Sequence, residues 1–107
     1  MSQPAPEQIA ELKSKHGALR KLTAEGNTII VRRASEVEWA VYLGHSTNDS
    51  QRLGAMRHLL DKVVVHPAPE AFNAMVSAAP GLVQTFGIQA TEFSGFLDAK
   101  SVEKTDL

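Results

Sequence analysis

The chain has no cysteine among its 107 residues, which excludes disulfides, thiolate metal sites and cysteine nucleophiles together. Aromatic side chains are scarce at 6%, with one tryptophan and one tyrosine, so aliphatic residues must supply most of any core. Charge of one sign is lacking as well: 11 Lys and Arg stand against 12 Asp and Glu, for a formal net charge of −1. A protein that neutralises phosphates needs clustered cations. The pairs Arg20-Lys21 and Arg32-Arg33 sit among Glu25, Glu36 and Glu38 and read as a solvated face, so no nucleic-acid partner is expected. No apolar run approaches the roughly 20 residues of a membrane span, and MSQPAPEQ has neither the basic nor the apolar region of a secretion signal. No membrane partner and a cytoplasmic location are the resulting expectations.

Catalytic signatures are missing too. There is no GxSxG elbow, no HExxH, and no GxxxxGK[ST] or GxGxxG phosphate cradle. Four histidines are present, His16, His45, His58 and His66. His58 and Asp61 lie three apart on one predicted helix, with His45 in the loop before it, so a His/Asp metal site can be drawn. The plainer reading is surface imidazoles, with His58 and Asp61 a modest charge pair. No catalytic residue, cofactor or metal is therefore expected, and the chain reads as a non-enzyme.

What is present is the composition of one globular domain spanning residues 1–107, 43% hydrophobic and 21% charged, with loose tails at 1–6 and 99–107. From Pro6 to His16, Ile9 and Leu12 are three apart, acidic Glu7 comes early and Lys13, Lys15 and His16 come late, the charge order a helix dipole favours. Gly17 ends that helix. Glu25-Gly26-Asn27 between apolar and β-branched runs predicts a hairpin with strands near 18–24 and 28–33. Ser35 and Glu38 form a capping box that opens a helix of about eight residues, closed by Gly44.

A third helix carries Leu53, Met56, Leu59, Leu60, Val63 and Val64 at helical spacing, and its final valines require protein on every side. Pro67 stops it, and Pro69 suits the first turn of a fourth helix with Phe72, Met75, Val76 and Ala79. HPAP thus reads as a rigid corner between the two. After Pro80-Gly81, the positions Leu82, Phe86, Ala90, Phe93 and Leu97 mark a last helix, weakened at Gly87 and Gly95 by about 1 kcal/mol each relative to alanine. The predicted fold class is α+β and mostly helical: a short N-terminal helix and a β-hairpin packed on a bundle of about four helices.

Trp39 with Tyr42 reads either as an exposed binding pair or as core, and a lone tryptophan in so short a chain favours core. Phe96 falls off the stripe of the last helix, which then presents more apolar surface than one core face needs. Phe86, Phe93 and Phe96, helped by Met75, are accordingly the expected partner-binding residues.

In order, ELKSKHGALRKLTAEGNTIIVRRASEVEWAVYL, an amphipathic helix ending in LLDKVVVHP, and PEAFNAMVSAAPGLV resemble the small tail-assembly chaperones of long-tailed bacteriophages over about residues 11–85. The particular steps are Arg33-Ala34-Ser35-Glu36-Val37-Glu38 after the hairpin, Val64-Val65-His66-Pro67, and Pro80-Gly81-Leu82. The resemblance implies a protein of the host cytoplasm that coats the long, apolar, helical tape-measure protein until the tail tube forms around it. It also implies self-association. The alternative is a small virion or host structural adaptor that docks permanently into an oligomer through its C-terminal helix.

Overall fold

The structure, a computed structural model, describes residues 5–95 and 103–107. The chain runs α1 (Pro6–His16), β1 (Leu19–Ala24), β2 (Asn27–Arg32), α2 (Glu36–Ser46), a 3-10 turn (Asp49–Gln51), α3 (Arg52–Val63), β3 (Val64–His66), α4 (Pro69–Ala78) and α5 (Leu82–Phe93). Three antiparallel strands in the order β1-β2-β3 make one small sheet. This is the α+β, mostly helical architecture the sequence predicts, with one strand more. The expected tails at 1–6 and 99–107 lie partly outside the described residues; Ala5 and Pro6 already belong to the start of α1.

The hairpin is tighter than expected. Ala24 pairs with Asn27, so only Glu25 and Gly26 form the turn, both at positive φ (53° and 75°). That is the pattern of a type I′ turn, whose twist matches the flanking strands. Asn27 is a strand residue, and its side-chain amide donates to the Glu25 carbonyl at 3.2 Å. Across the hairpin the hydroxyls of Thr23 and Thr28 share a hydrogen bond of 3.0 Å.

The three valines are not the last turn of a helix. α3 stops at Val63, and Val64–His66 leave it as β3, antiparallel to β2. Pairing of Ile30 with His66 and of Val31 with Val64 leaves Val65 opposite no residue, a bulge. The physical reason is local: β-branched side chains favour extended backbone, and Pro67 excludes His66 from the α region. The apolar join between α3 and α4 therefore completes the sheet as well as turning a corner. β2 becomes a central strand, with Thr28, Ile29, Ile30 and Val31 all buried.

On the inner side of the sheet, α3 packs on β2 and α5 on β1, while α2 lies along α3. Leu22, Ile29 and Val31 meet Leu59, Leu60, Val63, Phe72, Phe86 and Ala90 in one core. α3 and α5 pack together at Gly87, where a methyl group would sit 3.1 Å from both Cβ and Sδ of Met56. Gly87 is thus a packing residue rather than only a weak point of its helix. α5 also ends earlier than its apolar repeat suggests: Ser94 and Gly95 follow Phe93, Gly95 has φ of 103°, and its amide returns to the Glu92 carbonyl at 3.0 Å. Gly44 does not close α2, which continues to Ser46.

Candidate partner-binding surface

Partner contact needs apolar side chains outside the core, and the residues singled out from the sequence are not there. Phe86 is 1% exposed and Phe93 7%, and Met75 is buried with them. The expectation that these three form a contact surface is corrected. α5 has protein on two sides, α3 along one and β1 along the other, so the described residues of its stripe, Leu82, Phe86, Ala90 and Phe93, are all buried. Phe93 is also roofed by cations, with the Arg20 and Arg33 guanidiniums 4.6 and 5.1 Å from its ring centroid. Phe96, the fourth candidate, lies outside the described residues.

On the described helices the exposed large aliphatic side chains are Val37 (74% exposed), Val41 and Leu43 on α2, Leu53 on α3 and Ile88 on α5. Trp39 and Tyr42, three apart, turn one face of α2 inward, with their rings 5.2 Å apart and Tyr42 buried. Val37, Val41 and Gly44, at spacings of four and three, share a different face. α2 therefore has two apolar faces and only one core to meet. Sequence reasoning missed this surface because it weighs only Trp39 and Tyr42 on α2. The signal was that double stripe, wider than one buried face needs.

Two grooves flank α2. The first, about 310 Å³, runs between α2, α3 and α5 and is lined by Tyr42, Leu43, Arg52, Met56, Ile88 and Glu92. The second lies on the opposite flank of the α2–α3 pair. It has two lobes joined at Val41 and His58, of about 520 Å³ toward His45 and Gly54 and about 330 Å³ toward Val37 and Lys62.

The α2–α3 angle that shapes both grooves is held by Arg32 and Glu38. Arg32 Nη1 and Nη2 donate to Glu38 Oε1 and Oε2 at 2.8 and 2.7 Å, and Nη2 also donates to the Lys62 carbonyl near the end of α3 at 2.7 Å. Glu38 Oε1 accepts from the Ser35 amide at 2.8 Å, and the Ser35 hydroxyl accepts from the Glu38 amide at 3.2 Å. The predicted capping box is present, and its glutamate is at once the partner of a strand arginine. Arg32 is therefore no part of a solvated face. Its guanidinium hydrogen bonds hold the Glu38 carboxyl at a pKa of about 2, helped by the Ser35 amide against the opposing effect of burial.

His45 and His58 line the same lobe of the second groove, but Asp61 turns away to Arg57, whose Nε donates to it at 3.0 Å. The expected His58–Asp61 pair is replaced by this one, and Arg57 also donates to the Asn73 side chain on α4. Among the described residues no three His, Cys, Asp or Glu side chains come together as metal ligands. Among them, no helix is long and apolar enough to cross a membrane.

No protein-family model matches the chain, and comparison with the curated proteins found no match. Among solved structures, the chain is similar to an uncharacterised protein from Bacillus stearothermophilus, with a TM-score of 0.74 and 22% identity over 89% of this chain and 99% of that one. At that identity the likeness establishes a shared fold.

Proposed function

We propose that this chain is a non-enzymatic tail-assembly chaperone of the long-tailed phage type, which binds and shields an apolar helical partner such as the tape-measure protein. The observation that carries the reading is the exposed aliphatic flanks of α2, with Val37 and Val41 beside the second groove and Leu43 beside the first. A groove between two helices suits an amphipathic helix, which anchors side chains at positions three and four apart. Burial of apolar area there stabilises the complex by about 25 cal/mol per Å² before the cost of association. The contact surface is α2 with its neighbours, in place of the phenylalanines of α5. Self-association through the same face belongs to this proposal.

The test is co-expression with a tape-measure protein of a long-tailed phage. The partner's soluble fraction should rise with the wild-type protein and fall back with Val41→Asp combined with Leu43→Asp, two exposed substitutions that spare the core. A soluble fraction indifferent to the wild-type protein refutes the chaperone reading.

A further inference from the structure

The chain has three methionines, and the two described ones stand in opposite settings. Met75 on α4 is 5% exposed and sits inside the core. Met56 on α3 is half-buried at the edge of that core and lines the first groove together with Tyr42 and Ile88. A neighbouring hollow of about 250 Å³, bounded by Arg52, Leu53 and Gln84, opens on the same side chain. Met56 therefore borders open space in two places.

Its inner side lies along α5. A methyl group at Gly87 would come within 3.1 Å of Met56 Cβ, 3.2 Å of its Cγ and 3.1 Å of its Sδ, so the whole thioether arm occupies the place a Gly87 side chain would take. That arm fills the seam between two helices that pack along each other. A thioether suits the place, because it is unbranched, polarisable and asks for no hydrogen bond.

Oxidation removes that suitability. The sulfur takes one oxygen atom from hydrogen peroxide and is oxidised by two electrons, while the peroxide is reduced and leaves as water. The product is a polar sulfoxide, whose oxygen is costly to bury without a donor. Gly87 lies inside α5, where its amide is committed to the helix and offers none. The added oxygen also widens an arm for which only a bare glycine leaves room.

We infer that Met56 is a reversible oxidation site: peroxide reaches its sulfur from the first groove, and the sulfoxide leaves Gly87 for water and unlatches α3 from α5. Reductases specific for each sulfoxide epimer return the thioether, so the seam closes again. Neither the site nor its test depends on what the chain binds.

Brief exposure of the intact protein to dilute hydrogen peroxide, followed by peptide mass mapping, should show Met56 converted about tenfold faster than Met75. The melting temperature should fall by about 4–8 °C as Met56 is converted. Amide chemical shifts should move at Gly87 and its neighbours, and reductase treatment should reverse both changes. Met56→Leu conserves volume and keeps the fold, and it should hold its melting temperature through the same exposure. Oxidation of Met75 at an equal rate, a melting temperature unmoved by full conversion of Met56, or an equal fall in Met56→Leu each overturns the inference.

Discussion

Replacing Glu38 by glutamine should destabilise the fold by about 1–2 kcal/mol at neutral pH, and the deficit should vanish in acid. Arg32 and Glu38 are a fifth exposed, 21% and 20%, so their bidentate pair is shielded from water more than a surface ion pair. Hydrogen bonds to charged groups contribute about 1.5–3 kcal/mol, and a capping interaction about 1. Glutamine still offers an oxygen to the Ser35 amide, as a capping box allows, and loses the charge and one acceptor of the Arg32 fork. The loss therefore falls below the sum of the two terms.

The pH dependence has a definite sign. Glu38 titrates near 2 in the folded chain, against an ordinary value of 4.5. A depressed carboxylate contributes stability that is fully present above the unfolded value and lost as pH falls through the folded one. The difference between wild type and Glu38→Gln should thus stay flat above about pH 5 and close between about pH 4.5 and 2. Urea unfolding followed by far-ultraviolet circular dichroism at pH 7 and at pH 3 measures it, and pairing with Arg32→Met in a double-mutant cycle isolates the ion pair. A neutral-pH loss under about 0.5 kcal/mol, or a loss of equal size at both pH values, would refute the reasoning, because either result leaves the Arg32–Glu38 fork without energetic weight.

Four further substitutions separate packing from surface. Glu25→Asn should stabilise the hairpin by about 0.5–1 kcal/mol, since asparagine tolerates the positive φ of the first turn position far better than glutamate, and a raised melting temperature is the readout. Gly87→Ala should destabilise by about 1 kcal/mol despite alanine's better helix propensity, because the Met56 Cβ, 3.1 Å from the new methyl, is fixed to the α3 backbone and the helices must part. Urea midpoints decide the sign. Phe86→Ala should cost about 3–5 kcal/mol, whereas Ile88→Ala, two residues along the same helix and largely exposed, should change stability by less than about 0.5. Equal, small losses at the two positions would mean that Phe86 is not core.

What the sequence made legible was whatever local chemistry decides alone. Ser35 and Glu38 announce a helix start, Glu25-Gly26 a reversal, and Pro67 an end to α3, because capping, positive φ and a missing amide act within a few residues. Which apolar face stays uncovered is a different kind of fact. α2 and α5 both carry stripes too wide for one neighbour, and periodicity treats them alike. α5 acquires a second neighbour in β1, and Arg20 and Arg33 close over Phe93; the strand partner of β2 comes from valines whose helical spacing concealed them. α2 acquires no such second layer among the described residues, so Val37 and Val41 remain outside. The Arg32–Glu38 fork was hidden for the same reason: its capping half is local and visible, while its strand half depends on β2 ending beside α2. A wide stripe in a short chain therefore marks a helix with two neighbours as readily as a helix awaiting a partner, and only the tertiary neighbours separate the cases.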